Sequence, residues 1–275
     1  MIDAIKLEWL KVKNYRVFWI LTGMYLLALA IIAAGGVFFL EWLKSLGADF
    51  NGIDPTIVPI YDFPDIWQNM TYLGSYVKIL LAFIVIISVN NDVTYNTLRQ
   101  NIIDGISKKK YLLSKFMFIT ILAGISTLFL FFTGLITGTI YSHVWELRFI
   151  FDELEFLGAY FLDIVVYCSL AFLLSLIIKK AGFVIVLLVL YTFMFEPIAG
   201  AILTHAPIFR DTFWSELVDF FPIQSLNNLI TVPFGRYVFM EIQDYIPIKT
   251  LAIALGWLVF YLMMIITILT KRDLK

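Results

Sequence analysis

The chain reads as an all-α polytopic membrane protein with six transmembrane helices, and three observations predict this fold class. Of its 275 residues, 61% are hydrophobic and only 15% are charged, with a mean hydropathy of +0.90. Six apolar runs are each long enough to cross a hydrocarbon core of about 30 Å, which takes roughly 20 helical residues. They are Val17–Leu40, Ile66–Val89, Phe116–Tyr141, Phe156–Ile178, Ala181–Ala206 and Thr250–Thr270. The runs are continuous rather than alternating, which argues for helices that satisfy their own backbone and against a β-barrel. Residues 1–275 are expected to form one transmembrane domain with no separate soluble unit.

Taken in order, residues 1–16 are expected to form an amphipathic interfacial helix. Ile2, Ile5, Trp9 and Val12 recur at helical spacing while Lys6, Lys11 and Lys13 lie elsewhere around the wheel, so one face suits lipid and the other phosphates. The first span is too long for the apolar core of a cleavable signal peptide, and no clean small-residue cleavage site follows it. The connection Glu41–Asp65 carries Pro55, Pro59 and Pro64 and reads as irregular. Gly134 and Gly138 give the third span a small-x-x-x-small face for close packing within the molecule. Lys179-Lys180 leaves room only for a tight turn between the fourth and fifth spans. Glu196-Pro197 is expected to interrupt the fifth, because Pro removes a helical hydrogen bond and kinks the run. The aromatic segment Pro207–Pro247 divides at Pro222, a good first-turn residue. Phe213–Phe221 and Pro222–Ile230 then read as short re-entrant helices before the last span, with an aromatic surface loop as the alternative.

Charge sets the expected orientation. Segments 1–16, 90–115, 179–180 and 271–275 hold 14 of the 20 Lys and Arg but five of the 21 acidic residues. The positive-inside rule therefore predicts both ends in the cytoplasm, N-in and C-in. The formal net charge of −1 hides this asymmetry. Nucleic acid is not an expected partner, because the basic residues sit at membrane edges where anionic lipid already accounts for them. The lone Cys168 excludes an intramolecular disulfide and any multi-cysteine metal site. His143 and His205 lack ligand spacing and read as interfacial polar residues, so no metal is expected.

Three charges fall inside apolar runs: Lys78, Asp163 and Glu196. A charge at that depth costs roughly 3 kcal/mol on insertion scales and commonly faces a cavity or a partner. At about 1.5 Å per residue, Lys78 and Glu196 lie at similar depths, which allows a Lys78–Glu196 pair, with Asp163 nearer the outer surface. These residues either line the substrate route or form a structural ion pair, and a snorkelling Lys78 is a further alternative.

The stretch Asn90–Lys115 is a polar, basic interruption between two apolar runs. Asn91 or Asp92 suits a helix start; Tyr95, Leu98 and Ile102 then share a face, and Gly105 suits a helix stop. The order Asp92, Asn96, Thr97, Leu98, Gly105, Ser107, Lys108, Lys115 resembles the first cytoplasmic loop of ABC-2-type exporter permeases, the transmembrane subunits of ABC transporters. Asp92 stands where Glu is usual there, and Asn96 where Gly is usual. The resemblance extends to the amphipathic start, the six spans, the tight turn after the fourth and the long outer segment before the sixth.

The resemblance implies that residues 93–106 form a coupling helix seated on a separate ATP-binding subunit. Leu98 and Ile102 would be its apolar anchors, Arg99 and Asp104 its polar register, and Asp92, Thr97 and Gly105 its framing residues. It also implies two copies of that subunit binding ATP and Mg, a second identical or homologous permease, and a multi-pass location in a bacterial inner membrane. The chain has no G-x-x-x-x-G-K-[ST] phosphate loop, so it is not expected to be an enzyme itself. Nor does any span carry a His-Glu-x-x-His or Gly-x-Ser-x-Gly motif. The expected activity is ATP-coupled export of a substrate the sequence does not identify; the aromatic outer segments suit an amphiphilic cargo, and ordinary interface anchoring explains them equally well. An ATP-independent carrier or channel, and a non-transporting scaffold or immunity protein, are the alternatives.

Overall fold

Apolar runs of this length close their backbone hydrogen bonds internally, and the described residues are predominantly helical, with no strand among them. The computed structural model describes residues 8–47, 60–95, 97, 100, 107–142, 146–209, 212–233 and 245–271. Helix α1 covers residues 8–12 and breaks at 13–15 before α2, Arg16–Ser45. Then come α3, Ile66–Thr94; α4, Lys108–Tyr141; the short α5, Leu147–Ile150; and α6, Glu155–Ile178. Helix α7, Ala181–His205, contains one π-helical turn at Tyr191–Phe195. After it, α8, Phe213–Glu216, tightens into a 3-10 turn at Leu217–Phe220, and α9, Pro222–Asn227, precedes α10, Ile248–Lys271. Six segments are long and apolar enough to cross a membrane: α2, α3, α4, α5 with α6, α7 and α10. This is an all-α multi-pass membrane protein.

Helix α6 is the centre of the bundle. Ile164, Tyr167, Cys168, Ala171 and Phe172 are fully buried on it, and it packs most extensively on α3, then on α10, α4 and α7. Helix α2 lies across α3 and α4. A hydroxyl cluster ties three of these helices together. Tyr25 of α2 bonds Tyr160 of α6 at 2.7 Å, and Ser126 of α4 bonds both tyrosines. Such groups are costly when buried unless mutually satisfied.

The glycine pair on α4 works inside the molecule, as expected. Trp67 of α3 stacks on Phe131 with centroids 5.5 Å apart and donates from Nε1 to the Ile150 carbonyl at 2.9 Å. A Cβ on Gly134 would sit 2.8 Å from the Trp67 ring, and one on Gly138 would overlap Phe63. The small residues admit aromatic rings from α3 and its N-terminal approach. The tight turn is also present: Lys179 takes the left-handed conformation, φ 60°, while its amide bonds the Ser175 carbonyl at 3.2 Å.

Several expectations need correction. Helix α3 runs five residues beyond Val89 to Thr94, so Asn91 and Asp92 lie in its last turn and do not start a helix. Helix α4 starts at Lys108 instead of Phe116, because Ser107 caps it by accepting from the Lys110 amide at 3.2 Å. Helix α2 continues through Ser45, making Glu41–Ser45 helical. The α-helical ladder of the fifth span is interrupted next to Pro197, as expected, but without a break in the helix. The π turn at Tyr191–Phe195 absorbs the missing proline donor, and helix continues to His205. On α1, Trp9 and Val12 do not share an environment: Val12 and Glu8 are buried while Trp9 is half exposed. Trp9 instead packs edge-on against Trp19, whose Nε1 donates to the Lys13 carbonyl at 2.7 Å. Ile2, Ile5 and Lys6 lie outside the described residues. Pro222 does open a short helix, but that helix ends at Asn227, and its predecessor is a single α turn plus a 3-10 turn.

Candidate functional site

Where α3 ends, four charged side chains close into a ring. Asp92 accepts from Lys11 at 3.0 Å and pairs with Lys115 at 2.7 Å. Glu8 pairs with the same two lysines, at 3.0 Å to Lys11 and 2.6 Å to Lys115. Charges alternate around the ring and sum to zero. Its members come from α1, α3 and α4, and Glu8, Asp92 and Lys115 are almost fully buried. Lys115 also donates to Ser88 at 2.8 Å, with the buried Tyr111 ring 5.8 Å from its Nζ. Lys11 is the most exposed member, with 26% side-chain exposure. Burial alone would pull its amine pKa down, but the Asp92 and Glu8 carboxylates more than reverse that, and its pKa stands above an ordinary lysine's.

The local sequence accounts for each placement. Lys115 sits seven residues into α4, two helical turns from the Ser107 cap, so its stem lies against apolar neighbours and its amine must find acid inside. Glu8 stands three and four residues before Lys11 and Val12, which puts all three toward the bundle. Asp92 faces the same side from the last turn of α3.

Asp92 also reaches forward along the chain. The Thr97 hydroxyl donates to its carboxylate at 2.8 Å and approaches its carbonyl at 3.2 Å. The polar segment after α3 is therefore tied at its start to the ring. Tyr95 beside it is largely exposed. A cleft of about 330 Å³ opens alongside, lined by Lys11, Tyr15, Asn91, Asp92, Tyr95 and Thr97 among others. Leu98, Arg99, Ile102, Asp104 and Gly105 lie outside the described residues.

The intramembrane charges pair differently from expectation. Lys78 of α3 donates to Asp163 of α6 at 2.5 Å, both side chains being nearly inaccessible. Glu196 is not its partner: the Glu196 carboxylate accepts the Gln224 amide at 2.6 Å. Equal depth on two helices is not sufficient for contact. Helix α6 lies directly against α3, whereas the π turn of α7 carries Glu196 toward α9, where it satisfies a first-turn amide that lacks a helical acceptor.

Sequence reasoning missed two members of the ring as site residues. Lys11 counted only as part of a basic face, and Glu8 as nothing. The available signal was an acidic residue at the face of an otherwise basic flank, in register with Lys11 and Val12. Lys115 was matched as part of a motif, but drawing the third span from Phe116 hid its burial.

No curated protein matches the chain. The family described as "Protein of unknown function (DUF2705)" matches it over residues 56–274. That range contains Asp92, Lys115, Lys78, Asp163 and Glu196, and leaves Glu8 and Lys11 outside. The chain thus belongs to the DUF2705 family.

Proposed function

We propose that this chain is the membrane permease subunit of an ABC-2-type exporter, lying N-in and C-in across a bacterial inner membrane. In this reading the segment that follows the end of α3 at Thr94, up to residue 106, makes the coupling contact, and α1 with the preceding residues forms an interfacial helix. The aromatic segment around α8 and α9 lies at the outer face, with short re-entrant helices. Two ATP-binding subunits holding ATP and Mg, and a second permease, complete the machine. Its cargo is an amphiphile.

The observation that carries the reading is the ring at the foot of α3. The ring gives motion delivered to Thr97 a route to α1, α3 and α4 at once. Through Asp92, itself on α3, the segment is joined to α1 and α4 by contacts of 2.7–3.0 Å. The neighbouring cleft and exposed Tyr95 leave a partner room to approach. In this reading nucleotide hydrolysis belongs to that partner, since the sequence carries no G-x-x-x-x-G-K-[ST] loop.

The test is affinity purification of the tagged chain from its native membrane. A P-loop ATPase should co-purify, and its hydrolysis should be stimulated by the chain. Replacing Leu98→Asp together with Ile102→Asp should abolish both effects while the protein still elutes as one species. Unchanged co-purification and stimulation would remove the assignment of this segment as the coupling contact.

A further inference from the structure

Lys78 does more than neutralise Asp163. Its side chain also lines a cavity of about 160 Å³ among α3, α6, α7 and α9, together with Ser75, Tyr76, Tyr167, Thr192 and Asn227. An ammonium has three N–H donors. One goes to Asp163, and the Tyr167 ring lies 5.2 Å to the side. Tyr167 itself is held by a 2.9 Å bond to Thr192. The lining offers an amine, hydroxyls and an amide, and no carboxylate belongs to it. Tyr76 and Phe193, which also line the cavity, are each about half exposed, at 53% and 52%. The cavity therefore opens sideways onto the apolar face between α3 and α7.

Size and charge narrow the occupant. Drug-sized ligands fill about 300–1,000 Å³, so this space holds a head group and not a whole amphiphile. The charged group lining it is Lys78, whose ammonium gives one N–H to Asp163 and has donors left for a second acceptor. We propose that this cavity binds the anionic head group of a single-chain amphiphile, whose apolar chain lies outward along Tyr76 and Phe193. The biological use of the site rests on the permease reading; the binding is a property of this chain alone.

The experiment titrates the purified chain, in dodecyl maltoside, with dodecyl phosphate and counts bound molecules by native mass spectrometry. Dodecyltrimethylammonium supplies the same chain with the opposite charge, and inorganic phosphate supplies the anion without the chain. Two variants accompany the wild type. Ser75→Leu fills the cavity and leaves the ion pair intact; Lys78→Met with Asp163→Asn removes both charges together, so neither is stranded. The expected result is one dodecyl phosphate per chain, bound at least about tenfold more weakly by both variants. Neither the cationic amphiphile nor inorganic phosphate should bind at the same concentrations. Equal binding of the two amphiphiles, equal binding of inorganic phosphate, or variants that bind like wild type would overturn the proposal. If the double variant does not elute as one species, Ser75→Leu decides. Loss of this binding claim with ATPase stimulation intact would sink the site and spare the permease reading, and the converse result would do the reverse.

Discussion

Replacing Asp92→Asn tests the ring by removing one charge while keeping an acceptor for Thr97. The ring then holds two lysines and one carboxylate. Lys115 is 1% exposed on its side chain, so water cannot compensate it, although Glu8 at 2.6 Å and Ser88 at 2.8 Å still hold it. Breaking a buried pair costs about 3–5 kcal/mol, and the surviving partners place this case near the lower figure. At about 2–4 °C per kcal/mol for a chain of this size, Tm should fall by about 6–12 °C. Lys11→Met is the internal control. Lys11 is 26% exposed, but its loss leaves the buried Asp92 and Glu8 carboxylates to share Lys115 alone, so Tm should fall, by less than in Asp92→Asn because water reaches the Lys11 site. Asp92→Asn combined with Lys115→Met leaves the Glu8–Lys11 pair and restores neutrality, so it should recover more than half of the single variant's loss. The assay is thermal unfolding of purified protein at one fixed scan rate, since membrane proteins unfold irreversibly in many cases. An Asp92→Asn Tm within about 1 °C of wild type, or strictly additive losses in the double variant, would refute the reasoning.

Other predictions follow from packing and placement. Gly138→Ala should lower stability by about 1–3 kcal/mol, because its Cβ overlaps Phe63; thermal unfolding reads the loss, and an unchanged Tm contradicts the packing. Glu196→Gln should behave like wild type because an amide oxygen still accepts the Gln224 amide, whereas Glu196→Ala should cost about 1–3 kcal/mol; equal effects of the two in the same assay would show that charge matters there. Topology is testable with single cysteines at Lys109, Lys180 and Asp152, since native Cys168 is fully buried. An impermeant maleimide applied to intact cells should label position 152 only, and labelling of 109 or 180 would reverse the proposed orientation.

The six spans were legible because hydrophobic length alone defines them. Their ends were not, where charged residues continue a helix. Lysine stems let Lys108–Lys115 ride on α4, and the ion ring carries α3 on to Thr94. The outcome at Glu196-Pro197 was hidden for a different reason. Proline signals a disturbed ladder, but only the surrounding helices decide between a break and a π turn. Partner choice among buried charges was the least legible feature. Lys78 and Asp163 are 85 residues apart and Glu8 and Lys115 are 107 apart, so helix order within the bundle selects the pairs and no local pattern encodes it. Gly134 and Gly138 show the opposite case, since small residues four apart on one helix face imply close packing wherever the partner lies.

The central claim is that residues 93–106 receive force from a nucleotide-driven partner. Its most direct test places a photoreactive phenylalanine analogue at position 98 or 102 and irradiates native membranes with and without ATP. The account predicts a crosslink to a P-loop ATPase at both positions, changing in yield when ATP is added. Crosslinks to lipid or to this chain alone, unaltered by ATP, would contradict it.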